Sequence, residues 1–278
     1  MQRRFTQVDV FTSVAYCGNP LAVVIDGEGL SDEAMARFAN WTNLSETTFI
    51  VAPTDARADY RVRIFTASGE LPFAGHPTLG TCHAWLCSGG VPRQRDEVLQ
   101  ECGVGIIRIR RSDDRLAFAA PPLLKAGPVD EATMQVLLTQ LNATPSDIVA
   151  AEWVDNGPGW IGVLLRSADA VLALRPAATG WLKIGVIGAY PNGAPHEFEV
   201  RGLFSSASGV MAEDPVTGSL NASLAQWLLA SGRATSPYIA SQGTVLGRAG
   251  RVHVERIGSD IWIGGDTISC IVGTVELT

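Results

Sequence analysis

The chain predicts an α+β fold of two pseudo-symmetric lobes, each a mixed, mostly antiparallel sheet wrapped around one central apolar helix. Two observations lead there. The first is an internal repeat: His76-Pro77-Thr78-Leu79-Gly80-Thr81 matches Asp214-Pro215-Val216-Thr217-Gly218-Ser219, 138 residues on in a chain of 278. At the same offset Asn19-Pro20 falls opposite Gly157-Pro158, and Arg61-Val62-Arg63-Ile64-Phe65 lies within one residue of Glu199-Val200-Arg201-Gly202-Leu203-Phe204. The second is the apolar stretch into which each copy of the repeated phrase runs. Leu79, Cys82, Ala84, Trp85, Leu86 and Cys87 in one copy, and Leu220, Ala222, Leu224, Ala225, Trp227 and Leu228 in the other, leave no polar face. A helix apolar all round must be buried all round.

Taken in order, residues 5–11 and 21–25 read as strands, and residues 31–40 as a helix capped by Ser31, with Asp32 and Glu33 in the first turn where the dipole favours them. Residues 48–52 form a buried strand. Residues 59–65 alternate, with Tyr60, Val62 and Ile64 on one face and Arg61 and Arg63 on the other. Residues 106–110 and 116–118 close the first half as a hairpin, with Asp113-Asp114 as its turn. Ala119-Ala120-Pro121-Pro122 marks the boundary, because consecutive prolines cannot continue a central strand. The lobes are then 1–118 and 119–265. In the second, residues 131–141 form a helix, 159–165 a strand, 197–201 an alternating strand and 219–230 the central helix, ended by Gly232. Residues 252–255, 261–263 and 268–277 finish the chain as strands.

Composition narrows the function. A net charge of −7 offers no footprint for nucleic acid or an anionic membrane surface. No apolar run approaches the ~18 residues a membrane span needs, and Arg3-Arg4 is not followed by the apolar stretch of an export signal. Five scattered cysteines form no C-x-x-C pair, which suits reduced thiols in the cytoplasm. The two lysines, Lys125 and Lys183, lie outside the repeated phrases, against Schiff-base chemistry. Gly157-Pro158-Gly159-Trp160-Ile161-Gly162 fits G-x-G-x-x-G in letters only, since it precedes a strand instead of opening a helix. His83, His196 and His253 show no metal-ligand spacing, and no metal is expected.

The chemistry concentrates at the starts of the two buried helices. Pro77 and Pro215 suit the first helical position, which makes His76 and Asp214 the expected caps, at equivalent points of the two halves. Gly80, Thr81, Gly218 and Ser219 would then present donors to a ligand carboxylate. Asp before Pro is a common cap with no catalytic duty, so for Asp214 the capping and catalytic readings stand level; His is a poor cap, which favours function at His76. Glu46, in the otherwise uncharged run Asn43-Leu44-Ser45-Glu46-Thr47-Thr48-Phe49, suits a general base if its surroundings are dry. An exposed loop glutamate fits the same position.

Asp9-Val10-Phe11, Gly18-Asn19-Pro20-Leu21-Ala22-Val23-Val24, Asn43-Leu44-Ser45-Glu46-Thr47, Phe73-Ala74-Gly75-His76-Pro77-Thr78-Leu79-Gly80 and Glu213-Asp214-Pro215-Val216-Thr217-Gly218-Ser219 together resemble the phenazine-biosynthesis PhzF family. The resemblance spans the chain in order. It implies the diaminopimelate-epimerase-like fold, with the site in the cleft between lobes and the last strand, about 266–278, returning to the first lobe. It also implies a cofactor-independent isomerase of the trans-2,3-dihydro-3-hydroxyanthranilate type, working on a small carboxylate as a homodimer. Glu46 would shuttle the proton, His76 and Asp214 would line the site, and Gly18, Asn19, Ser45, Gly75, Thr78, Gly218 and Ser219 would bind substrate. The related epimerases place a cysteine at each helix start. Alignment puts Ala74 and Pro215 at those points, with Cys82 the nearest thiol to either phrase. Two other readings stay open: a carboxylate-based amino-acid or hydroxy-acid racemase, and a binding protein that keeps the site without catalysis.

Overall fold

The computed structural model describes residues 1–112, 115–205 and 209–278; the expected turn at Asp113-Asp114 lies outside them. The chain forms two compact units, Met1–Ala119 with Gly264–Thr278, and Ala120–Ile263.

The first unit contains β1 (Gln2–Val10), β2 (Asn19–Val24), α1 (Asp32–Thr42), β3 (Thr47–Val51), β4 (Tyr60–Thr66), β5 (Gly69–Leu71), α2 (Gly75–Cys87), β6 (Glu97–Cys102), β7 (Gly105–Ser112) and β8 (Arg115–Ala119). Its sheet starts at the C-terminal strand Thr267–Glu276, which pairs antiparallel with β1. It continues antiparallel to β2, parallel to β3 and antiparallel to β4. One edge of β4 then holds both β5, antiparallel, and β6, parallel. The β6–β7–β8 meander completes it.

Strand alternation assigns the two faces. Val24, Phe49 and Phe65 face outward onto Met35, Phe38 and Ala39 of α1. That helix starts as expected, with Ser31 Oγ accepting from the Ala34 N–H at 3.2 Å. The inner face holds α2, whose first eight residues, Gly75 to Cys82, are all buried. The helix lies very close on the strands: a Cβ on Gly80 would stand 2.6 Å from Leu21, 2.9 Å from Val10 and 3.0 Å from Val8.

The second unit contains β9 (Lys125–Pro128), α3 (Glu131–Leu141), β10 (Ile148–Asp155), β11 (Trp160–Leu165), α4 (Ala168–Ala173), β12 (Lys183–Ala189), β13 (Phe198–Ser205), β14 (Met211–Asp214), α5 (Gly218–Ala230), β15 (Tyr238–Gln242), β16 (Gly250–Ile257) and β17 (Asp260–Gly265), whose last two residues belong to the first unit; Thr267–Glu276 is β18. The pairing repeats the first unit: β10–β11 antiparallel, β11–β12 parallel, β12–β13 antiparallel, and β13 holding β14 antiparallel and β15 parallel on one edge. Leu137 and Leu141 of α3 cover Ile161, Val163, Ile184 and Val186 on the outer face, and α5 lies inside.

Close approach of helix to sheet is achieved in opposite ways in the two units. In the first, the glycine is on the helix. In the second, it is on the strands: Cβ atoms on Gly162, Gly185 and Gly202 would meet Trp227 and Leu224, Leu220, and Thr217 respectively. Gly185 and Gly188 also hide β12 from hydropathy reading, since Lys-Ile-Gly-Val-Ile-Gly-Ala has no clean alternation.

The structure departs from two expectations. Residues 197–201 alternate as a half-exposed strand would, but β13 is buried on both faces, and Glu199 and Arg201 with it. The repeat offset of 138 holds between β4 and β13 but not at the helices. Ile64 pairs with Leu71, and its counterpart Gly202 pairs with Asp214, so the second hairpin is five residues longer. The counterpart of Asp214 is therefore Leu71, not His76. The matching phrases are out of structural register.

The Gly80 contacts generate a prediction. Gly80→Val forces three fixed neighbours apart and should destabilise by about 1–3 kcal/mol, lowering Tm by about 2–4 °C per kcal/mol. Gly273→Ala, where an added Cβ meets nothing within 4 Å, should leave Tm unchanged. Equal melting of the two variants would show that α2 does not lie on β1 and β2 as described.

Candidate active site

Glu46 sits in the short turn between α1 and β3, and the turn is tied at both ends. Asn43 ends α1 in the left-handed conformation (φ 54°), which asparagine tolerates. The Thr42 and Thr47 hydroxyls meet at 2.9 Å across the turn. The Glu46 side chain, only 15% exposed, brings Oε2 to 3.3 Å from Nε2 of His76, itself 6% exposed. An exposed loop glutamate is thereby ruled out.

His76 is the second residue of α2, and not its cap. The N-cap is Ala74, whose side chain accepts nothing, and Pro77 is the third helical residue, not the first. A missing N–H costs nothing there either, since the first turn has no intrahelical acceptor. The N–H groups of Gly75 and His76 occupy that same turn. Thr78 is buried and fixes the turn from below: its hydroxyl donates to the Ala74 carbonyl (2.9 Å) and accepts from Gln100 Nε2 (3.1 Å), while Gln100 Oε1 accepts from the Tyr60 hydroxyl (2.9 Å).

The other edge of the imidazole meets Asn19, at the start of β2, whose Nδ2 is 3.4 Å from His76 Nδ1. An amide NH₂ can only donate, so Nδ1 is the acceptor and the neutral ring carries its proton on Nε2. The 3.3 Å contact would be an ion pair only with a protonated ring. Burial opposes that and pulls His76 down to about 3, so the ring is neutral near neutral pH.

The Asn19 loop has its own anchor, which sequence reading missed. Asp9, 3% exposed, accepts the Gly18 N–H at 2.9 Å. A Cβ on Gly18 would lie 2.2 Å from the Val10 carbonyl oxygen, so glycine is required there by close backbone approach. Phe11 and Tyr16, bulky residues at φ 65° and 70°, strain the same loop. Ser45 is exposed beside Glu46. Cys82 is fully buried, with its thiol pushed up to about 12, which makes it inert.

In the second unit Asp214 ends β14, and Thr217, not Asp214, is the N-cap of α5. The Thr217 hydroxyl is turned back and donates to Asp214 Oδ2 at 2.6 Å, so it caps nothing. Buried Gln242 staples this loop: its Oε1 accepts from the Thr217 N–H (3.0 Å) and Asn221 Nδ2 (2.8 Å), and its Nε2 donates to the Asp214 carbonyl (3.2 Å). Gly218 is the first helical residue. Ser219 comes next, half-buried, its Oγ accepting from Trp160 Nε1 at 3.1 Å. No sequence signal singles out Gln242, which follows Ser241 at the end of β15. Ala74 and Thr217 are thus the N-caps of the two central helices.

Glu46, His76 and Asn19 thus form one constellation in the first unit, and Asp214, Gly218 and Ser219 another in the second. Among the described residues, no group of three or more His, Cys, Asp or Glu side chains is arranged to hold a metal ion, and no helix is long and apolar enough to cross a membrane.

The sequence model of the phenazine biosynthesis-like proteins, PhzC-PhzF, matches residues 8–266. The chain is 32% identical to a trans-2,3-dihydro-3-hydroxyanthranilate isomerase of Pseudomonas aeruginosa, covering 96% of this chain and 94% of that protein. It is also 32% identical to antisense-enhancing sequence 1 of Schizosaccharomyces pombe over 98% of each. The crystal structure of a PhzF-family phenazine biosynthesis protein from Bacillus anthracis superposes with a TM-score of 0.83 over 99% of each chain, at 21% identity, and so shares the fold. A match of this extent, in sequence and in fold, establishes that the chain belongs to the phenazine biosynthesis-like PhzC-PhzF family.

Proposed function

We propose that the protein is a cofactor-independent isomerase that moves a proton between carbons of a small cyclic or unsaturated carboxylate, with Glu46 as the acid/base group. Its relatives named for a reaction are isomerases, and trans-2,3-dihydro-3-hydroxyanthranilate, named for the P. aeruginosa relative, is the first substrate to test. The observation that carries the reading is the mostly buried Glu46 carboxylate 3.3 Å from a buried neutral imidazole.

On this reading the labour is divided. Glu46 takes a proton from substrate carbon and returns it to another carbon. His76, held by Asn19 on the far side of its ring, keeps a neutral imidazole beside the carboxylate through both transfers. The uncapped first turn of α2, with the N–H groups of Gly75 and His76, supplies partial positive charge for the substrate carboxylate. In the second unit, Asp214, Gly218 and Ser219 are proposed to serve the same reaction, Asp214 as a further acid/base group and the others as donors. We place the enzyme in the cytoplasm, in keeping with five cysteines that are all free thiols, and propose a homodimer on the family resemblance alone.

Glu46→Gln keeps shape and hydrogen bonding but cannot accept the proton. Turnover should fall by about 10²–10⁴-fold, the usual worth of a general base, at an unchanged Tm. Turnover within a few-fold of the parent would remove Glu46 from its role.

His76 generates a second prediction. Its folded pKa of about 3 lies below its ordinary value of 6.5. Between those limits the unfolded chain binds the extra proton, so stability rises with pH across this window and is lost as pH falls. The slope due to this one group approaches about 1.4 kcal/mol per pH unit. Denaturant unfolding of the parent and of His76→Asn from pH 7 to 4 should show the parent losing stability faster by that margin. Parallel curves would mean that His76 is not held neutral by burial.

A further inference from the structure

We infer that the buried Arg201–Glu213 pair is a positioning device that sets the place of Asp214 for catalysis, an inference that rests on the isomerase reading above. The guanidinium of Arg201, on β13, grips Glu213 with both Nε (3.1 Å) and Nη2 (2.7 Å). Its remaining nitrogen, Nη1, donates to the Val171 and Leu174 carbonyls at the C-terminal end of α4 (3.2 and 2.8 Å). The side chains are 5% and 8% exposed. A pair so dry does not stand there for stability, because well-packed apolar residues usually serve as well or better.

Its place in the chain supplies a reason. Glu213 is the residue before Asp214, on a four-residue strand that pairs antiparallel with β13. Side chains alternate along a strand, so a grip on Glu213 from the outer face fixes where Asp214 stands on the inner one. Arg201 ties that strand to the end of α4 at the same time.

The first unit repeats the device independently. Arg63 on β4 grips Glu70 on β5 through Nε (2.8 Å) and Nη2 (2.6 Å), and its Nη1 reaches Asp32 of α1 (2.6 Å). The ladders make Arg63 the counterpart of Arg201, and Glu70 that of Glu213. Both short strands end four residues before the first residue of the buried helix, Leu71 before Gly75 and Asp214 before Gly218. The residue after the gripped glutamate differs, Leu71 in one unit and Asp214 in the other, yet the grip persists. What the two units share is the path of the chain into the central helix.

The test uses the full chain with two variants and two readouts. Arg201→Met/Glu213→Leu replaces the pair by apolar residues and should keep a Tm close to the parent. Its kcat for the isomerisation should nevertheless fall about 10–100-fold, with KM little changed, the scale of loss that small misplacements of catalytic groups produce. Arg201→Lys, which keeps the charge and loses the fork, should fall in the same direction in a less altered fold. Amide hydrogen exchange over residues 214–220 should quicken in both. A well-folded double variant with parental kcat overturns the inference, as does parental exchange over 214–220. If the parent itself does not turn over the substrate, the isomerase reading fails at that point, and the exchange measurement alone decides whether the pair holds Asp214.

Discussion

The protein depends on burying the first turn of a helix. Backbone N–H groups at a helix start have no partner in the helix, and burying them without one is costly. Most proteins answer with a capping side chain, as α1 does with Ser31 and α3 with Asp130. The two central helices do not: Ala74 has no polar side chain, and the Thr217 hydroxyl turns back to Asp214. The sheet encloses each helix, glycines let it approach, and side-chain networks through Gln100 and Gln242 hold the turns. Neither turn is closed by the side chain of its own N-cap residue. An anionic substrate is the occupant that such a turn suits.

Each unit carries one such turn, and the two have different neighbours. In the first unit the turn is joined by the neutral His76 and by Glu46, in the second by Asp214 and the Thr217 hydroxyl. The five-residue difference in hairpin length separates the units at the point where the chemistry differs. The apolar shell and the Arg–Glu grips on the short strands are shared. The frame is common to both units, and the residues at the helix starts differ.

Much of this is readable from residues. All-round apolarity identifies both central helices, because no other environment suits such a surface, and the paired phrases announce two similar halves. Ser31 with Asp32 and Glu33 marks the start of α1. Residue type singles out Glu46 and His76, and the structure brings them together. Register and partnership are not readable in the same way. His-Pro-Thr and Asp-Pro-Val look equivalent as strings, but one lies inside its helix and the other before it, since the repeat has lengthened by part of a hairpin. Arg201 and Glu199 in an alternating stretch read as a solvent face, because their burial depends on α4 and on partners distant in the chain. Asp9 and Gln242 are polar residues whose roles exist only through the groups they meet.

The central claim is that one carboxylate, Glu46, both removes and returns the proton. A single shuttling group delivers to the product some of the hydrogen it took from the substrate, whereas two opposed bases replace it with solvent hydrogen. The direct measurement is turnover of protiated trans-2,3-dihydro-3-hydroxyanthranilate by the parent enzyme in D₂O, with the product monitored by mass spectrometry from the earliest turnovers. The account predicts partial retention of protium at the position that receives the proton. Complete deuterium incorporation from the first turnover would contradict it and point to two bases acting from opposite sides.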